Sequence, residues 1–308
     1  MNSRQEYFSK FLKFFWLRPE SALMLAVRAE KYASTMKLMG DYNIDVSCGD
    51  GVFSFITMGG ELSEDSDMYR SLDHSSKREG NFDTYDSYDS SYFIKVDKKP
   101  KKNYNLGTDW KENLINKAAH LSYYEDFIVH DNNNIFPIGS EKVDYIYSNS
   151  TYWVKNFEEH IFDLVRMLKI GGHLVLEIKT KDILNMTSKN YAPFMGNNFH
   201  NIIDAGRAAT WEGLKSIEEY EYIFSKLNIK VVSKSPVYGG KIMQIWDIGL
   251  RPIFSPLAKM VDSLTPENRV DIKGEWCNVF NNLLKDYVGE YSCSNDDAVE
   301  WLFILEKK

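Results

Sequence analysis

Four clusters of polar residues follow directly on short apolar runs, and their residue types suggest what each could hold. The first is Asp45-Val-Ser-Cys-Gly-Asp-Gly51. Gly49 and Gly51 let the backbone turn tightly and approach a ligand closely, and a helix starting at Val52 offers free N–H groups at its first turn. Asp45 suits orienting this loop, or a ligand's amino group, better than chemistry. The second is Asp109, after Tyr104 to Thr108. A carboxylate there accepts from two hydroxyls and is the usual partner of a ribose diol. The third is Asp131-Asn132, an acid and an amide able to hold the exocyclic amine of an adenine. The fourth is Ser148-Asn149-Ser150, with Asn149 placed to face a reacting centre. Trp110, beside Asp109, could cover the face of a base or pack in the core. Together the four clusters make one adenosine-shaped cradle.

These clusters meet only if the elements carrying them run parallel. Helices are expected over 4–17 and 19–37, and strands over 42–46, 104–108, 127–130, 143–147 and 173–179, with helices 52–56, 110–120 and 157–168 between them. Phe157, Ile161, Leu164, Val165 and Leu168 recur at helical spacing, and Gly171-Gly172 stops that helix. Strands alternating with helices indicate βαβ units and a parallel sheet, whose ligands bind beyond the carboxyl ends of its strands. Ser216-Ile-Glu-Glu219 is a capping box opening a helix over 217–227, followed by a strand over 229–233. Two helices open at Ser255-Pro256 and Thr265-Pro266, and a last strand covers 301–305. The chain reads as one domain over 1–308. It has N-terminal helices in 1–39, a serine- and acid-rich surface insertion at 61–97, and insertions at 181–215 and 235–298 that, with the N-terminal helices, are expected to form a lid over the carboxyl edge of the sheet and shape an acceptor pocket.

The 308 residues carry 37 basic and 44 acidic side chains, a net charge of -7, with 44% hydrophobic and 14% aromatic residues. A core large enough to fold without staples is expected, and a broad nucleic-acid footprint is not. Cys48, Cys277 and Cys293 cannot all pair and form no C-x-x-C, so neither a disulfide framework nor a four-cysteine zinc site is expected. Asp83, Asp86 and Asp89 match no EF-hand loop, and no metal site is expected. No run approaches the ~18 apolar residues of a membrane span, and a reducing, cytoplasmic compartment is the default. No Gly-x-x-x-x-Gly-Lys-Ser/Thr occurs. The first loop also lacks a full Gly-x-Gly-x-x-Gly, with serines at 47 and 54, so a dinucleotide's pyrophosphate is poorly served.

The order of these segments resembles the class I S-adenosylmethionine-dependent methyltransferases. Ile44-Asp-Val-Ser-Cys-Gly-Asp-Gly51 resembles their first motif, Leu106-Gly-Thr-Asp109 their ribose-binding strand end, and Val129-His-Asp131-Asn with Ile135-Phe-Pro137 their adenine-binding segment. Val143 to Asn149 resembles the fourth strand, and Arg166 to Leu176 the helix, turn and fifth strand. The resemblance implies a Rossmann-like, seven-stranded, mostly parallel sheet with its last strand antiparallel and helices on both faces. It implies S-adenosyl-L-methionine as cofactor, with S-adenosyl-L-homocysteine as product. Cofactor contacts then fall on Asp45, Ser47, Gly49, Gly51, Asp109, Trp110, Asp131, Asn132 and Asn149. Ser47 departs from the family's usual glycine and is expected to fit if its backbone angles are ordinary. The stretch 150–155 lacks the histidine that many relatives place there.

For the methyl acceptor the sequence offers His200 as a base candidate and Arg18, Tyr152, Trp153, Tyr191 and Arg207 as pocket candidates, with Trp211 and Trp246 nearby. The segments Trp16 to Glu20, Ser148 to Trp153 and Trp246 to Pro252 resemble a methyltransferase-11-like subgroup associated with glycan biosynthesis. The expected activity is therefore methyl transfer to a small polar acceptor such as a sugar or glycan hydroxyl. The alternatives are a non-glycan small molecule, or a catalytically silent partner protein of the same fold.

Overall fold

A computed structural model of the chain describes residues 2–71, 88, 90–187, 190, 192–204, 210–211 and 213–308. Two helices come first, α1 (Ser3–Phe14) and α2 (Pro19–Ala33). Asn2 and Gln5 close α1 with a reciprocal capping box, and Pro19 sits in the first turn of α2, where its missing N–H costs nothing. The alternating part follows: β1 (Asn43–Val46), α3 (Val52–Thr57), β2 (Glu61–Leu62), β3 (Val96–Lys98), β4 (Tyr104–Asp109), α4 (Glu112–Ala119), β5 (Tyr124–Val129), β6 (Val143–Ser148), α5 (Phe157–Met167) and β7 (Leu168–Lys179). The last part holds α6 (Ala192–Met195), α7 (Asn197–Asp204), α8 (Ile217–Ser225), β8 (Ile229–Gly239), α9 (Gly240–Ile248), α10 (Arg251–Asp262), α11 (Pro266–Glu290) and β9 (Ala298–Lys307).

Seven strands form one sheet in the order β5-β4-β1-β6-β7-β9-β8. The first five are parallel, and β9 runs antiparallel to both of its neighbours. This is the Rossmann-like fold of class I S-adenosylmethionine-dependent methyltransferases. The chain builds outward from β1 through β4 to β5, then returns to β6 on the other side of β1. That reversal at β1 is the kind of switch point beyond whose strand ends open α/β sheets bind their ligands.

Side chains alternate across the sheet. Tyr145, Tyr147 and Val175 face a core shared with α1, α2, α3 and α9, whereas Ile44, Val46, Ile146, Leu174 and Leu176 face α5 and α8. The aromatic content concentrates on the first face, where Tyr32 of α2 stacks on Tyr147 with ring centroids 3.9 Å apart. Against the expectation of a lid, α1 and α2 thus cover a sheet face rather than its carboxyl edge. The 25-residue α11 packs on α1 and α2 as an outer layer.

Several boundaries differ from the expected ones. Strand β5 begins at Tyr124, because Tyr124 pairs with Tyr104 and both rings are buried. Strand β7 begins at Leu168; its register on β6 jumps from Val143↔Leu168 to Tyr145↔His173, so Gly171-Gly172 lies in a bulge rather than in a separate turn. Strand β8 runs on to Gly239 through register shifts around Pro236, an edge-strand position where a missing N–H is tolerated. Helix α10 opens at Arg251-Pro252, and Pro256 falls inside it. The segment 61–97 is more than surface. Its ends pair as a separate ribbon, β2 with β3. Met68, Tyr69 and Ile94 are buried, and Asp67 forms a buried 2.8 Å ion pair with Arg269 of α11.

Candidate functional site: the carboxyl edge of the sheet

Register aligns Val46 of β1 with Thr108 of β4 and Ser148 of β6, and Thr108 with Ile128 of β5. The four polar clusters therefore leave the sheet at one edge. The loop after β1 has three residues with left-handed backbone: Ser47 at φ 60°, Gly49 at 61° and Gly51 at 73°. Gly51 is needed for packing as well, since a Cβ there would meet the Tyr124 ring at 2.9 Å. A Cβ on Gly49 would meet nothing within 4 Å, so this part of the loop faces open space, as a ligand cradle should. The ordinary backbone expected of Ser47 is not found. Serine adopts the glycine conformation there, at a cost of order 1–3 kcal/mol that its surroundings must offset.

Asp109 ties the edge together. Its carboxylate accepts from Gly49 N at 3.1 Å and from Lys111 N at 3.0 Å, and the residue is 6% exposed. The Trp110 N–H also favours the charged form, and a carboxylate's roughly four lone-pair sites still leave acceptor capacity for a ribose diol. Burial raises the Asp109 pKa above the ordinary carboxylate value, while the backbone N–H groups of Lys111 and Gly49 pull the other way. Asp45 lies deeper. It accepts from the Tyr124 hydroxyl at 2.7 Å, and burial pushes its pKa up to about 6. Tyr124 belongs to β5, so this bond fixes β1 against a strand two places away.

Asp131 and Asn132 divide differently from expectation. Asp131 is exposed and closes its own turn, accepting from Asn133 N at 2.9 Å and Asn133 Nδ2 at 2.8 Å. Those bonds hold its carboxyl below the ordinary range. Asn132 is half-buried and donates from Nδ2 to Ser47 Oγ at 2.8 Å. Asn149 is half-buried and accepts from Ser150 Oγ at 2.8 Å. Trp110 is 61% exposed, which rules out a core role and leaves its ring at the rim.

The acceptor candidates are scattered. Arg18 pairs with buried Glu20 and reaches the Trp246 carbonyl at 3.4 Å, so it joins α2 to α9. Tyr152 and Trp153 follow β6, their rings 5.3 Å apart, with Trp153 half exposed. His200 lies on α7, which packs against α6 and α10. Tyr191 and Arg207 lie outside the described residues. Trp211 is buried against the core. His130 stacks on Phe136 at 3.9 Å, and His160 is buried with its pKa pushed down to about 4, so both are neutral packing residues.

The sequence reading missed a buried polar network beside Tyr152. Arg28 of α2 grips both oxygens of Glu300 on β9. Glu300 also accepts from Tyr238 at 2.6 Å and lies 3.2 Å from Lys179 Nζ, which sits 4.3 Å from the centre of the Tyr152 ring. Next to it, Glu177 accepts from Tyr147 at 2.7 Å. Burial raises the Glu177 pKa, and the neighbouring Glu300 charge adds to this. Burial would raise Glu300 too, but Arg28 and Lys179 outweigh it and hold Glu300 low. One signal was available: Glu177, Lys179 and Glu300 are charges inside otherwise apolar strand sequences, where they need partners.

No protein-family model matches the chain, and no curated protein matches it. Among solved structures, the chain is similar to an S-adenosylmethionine-dependent methyltransferase from Thermotoga maritima, at 12% identity over 99% of this chain and 97% of that one, with a TM-score of 0.45. It is also similar to the YcgJ protein from Bacillus subtilis, at 10% identity over 91% and 97%, TM-score 0.44. A third is geranyl diphosphate C-methyltransferase from Streptomyces coelicolor, at 12% identity over 91% and 77%, TM-score 0.43. The fold class rests on the strand order given above rather than on these distant likenesses.

Proposed function

We propose that the protein is a methyltransferase that takes S-adenosyl-L-methionine as its donor. The observation that carries this reading is Asp109: a nearly buried carboxylate at the end of β4, bonded to the glycine loop of β1 and retaining acceptor capacity for a diol. The open space at Gly49 and the reversal of strand order at β1 support it. The donor's sulfonium supplies an activated methyl when bound. The chain's own part is to hold the ribose diol at Asp109, to approach the amino-acid end with the Gly49 loop, and to align an acceptor near Asn149 and Tyr152. Calorimetry with S-adenosyl-L-homocysteine and with nicotinamide dinucleotides tests the reading, and tighter binding of a dinucleotide refutes it.

For the acceptor we favour a small polar molecule such as a sugar. The support is the Tyr152-Trp153 pair, two rings tilted by 36° with the Lys179 ammonium against Tyr152, an aromatic surface with a polar backing. A neutral hydroxyl acceptor also needs a base. His200 is the candidate, carried on α7, which packs against α6 and α10. An acceptor that is already nucleophilic, an amine or a carboxylate, fits this arrangement without it. A methyl-transfer screen over sugars, phenols, amines and proteins decides, with His200→Ala measured on the best acceptor. Unchanged turnover removes His200 as the base, and no transfer to any acceptor favours a catalytically silent partner protein.

A further inference from the structure

The bond from Asn132 to Ser47 joins the loop after β5 to the loop after β1. Strand β4 lies between those two strands, so the bond crosses the end of β4, where Asp109 stands. A nucleoside whose ribose reaches Asp109 therefore lies beside this bridge. Two observations give the bridge a purpose. Ser47 keeps a left-handed φ of 60°, a conformation that glycine would adopt without strain, and its hydroxyl is what accepts from Asn132. Asp131, the acid next to Asn132, is exposed and turned toward its own loop, where Oδ1 accepts from both Asn133 N and Asn133 Nδ2, and among the described residues it makes no bond to the β1 loop comparable to that of Asn132.

We infer that Ser47 is a positioning residue for Asn132, and that Asn132 rather than Asp131 contacts the base of the donor. The inference rests on the methyltransferase reading above. An asparagine amide has two N–H donors and a carbonyl acceptor. One N–H is committed to Ser47, so the carbonyl and the other N–H remain. That acceptor–donor pair complements an adenine edge, which offers an amine donor beside a ring-nitrogen acceptor. Pinning the amide before the ligand arrives lowers the ordering cost of binding. A glycine at position 47 would relax the backbone but leave Asn132 unpinned.

Calorimetry with S-adenosyl-L-homocysteine and, separately, with adenosine tests this on the wild type, Ser47→Gly, Asn132→Ala, the double variant and Asp131→Ala, with thermal melting of each. Ser47→Gly should melt at or above the wild-type temperature yet bind about 3–10-fold more weakly, the range for one neutral hydrogen bond. Asn132→Ala should lose about 10-fold, and the double variant should bind no more weakly than Asn132→Ala, because Ser47 acts through Asn132. Adenosine should show the same losses, since the bridge acts at the nucleoside end, and Asp131→Ala should stay within about twofold. A merely structural serine would move stability and affinity together. The inference is overturned if Ser47→Gly binds as tightly as the wild type, if the losses multiply in the double variant, or if Asp131→Ala carries the larger loss. A wild type that binds neither ligand overturns the methyltransferase reading and this inference together, whereas a wild type that binds while Ser47→Gly is unchanged overturns this inference alone.

Discussion

Replacing Asp109 tests the proposed ligand-binding role of a carboxylate that also fastens the loop after β1. Its two oxygens hold the N–H groups of Gly49 and Lys111, at 3.1 and 3.0 Å. Asp109→Ala leaves both donors without that partner. Gly49 is only half-buried and water can reach its loop, so the stability loss should be about 1–2 kcal/mol rather than the full cost of two buried orphans. For the ligand, hydrogen bonds to a charged group contribute about 1.5–3 kcal/mol, so S-adenosyl-L-homocysteine should bind roughly 10- to 150-fold more weakly. Asp109→Asn keeps the shape but has one acceptor oxygen, and its amide N–H2 meets one of the two backbone donors. It should therefore lose affinity nearly as far while melting closer to the wild type. pH gives an independent reading. Burial raises the Asp109 pKa, and only the ionised form accepts from both hydroxyls with both oxygens. Wild-type affinity should thus begin to fall, on acidification, above the ordinary carboxylate range, and Asp109→Asn should be flat there. The assay is isothermal calorimetry across pH beside thermal melting. A binding constant for Asp109→Ala within threefold of the wild type, with a lowered melting temperature, would leave Asp109 as a loop fastener and remove the main support for a ribose at this edge.

Three further outcomes follow from the buried groups. Asp45 has its pKa raised from 3.8 to about 6, so the folded state holds a proton there that the unfolded chain has released; the stability it contributes is full below about pH 4 and is lost as pH rises through about 6, a change of at most about 3 kcal/mol. In Asp45→Asn, denaturant titrations should show that slope flattened, and an unaltered slope assigns it to other groups. Arg28→Ala strands the Glu300 carboxylate among Tyr238 and Glu177, and should destabilise by about 3–5 kcal/mol; a loss under 1 kcal/mol in chemical denaturation would mean that Lys179 and water suffice for Glu300. Tyr69→Ala removes a buried ring packed near Phe254 of α10 at 5.4 Å and should cost about 3–5 kcal/mol by the same measurement, whereas a near-neutral result would return the segment around it to the status of surface decoration.

Much of the sheet's carboxyl edge was legible in the sequence. Periodicity of 3.6 in 157–168 and short apolar runs ended by polar residues require helices and strands that bury one face or both. Once strands alternate with helices, neighbouring strands run parallel and their carboxyl ends gather at one edge. The positions of Asp45, Asp109, Asp131-Asn132 and Asn149 along the chain therefore implied that the strand ends carrying them gather at one edge, and the strands pair in that register. Local signals also placed the Ser216 capping box and the Thr265-Pro266 helix start. Tertiary structure decided what depends on partners distant in sequence. Whether Ser47 takes an ordinary or a left-handed backbone is set by the loop's closure onto Asp109 and Asn132, 62 and 85 residues away by number, and no local propensity encodes that. The choice between Asp131 and Asn132 turns on which of two adjacent side chains faces the β1 loop, a matter of one residue in phase. Arg28, Glu177, Lys179 and Glu300 come from three elements spread over 272 residues. Arg28 looks like an ordinary charge in its own window, and although Glu177, Lys179 and Glu300 stand out in apolar strands, only tertiary packing shows which partners they find and makes them depend on one another.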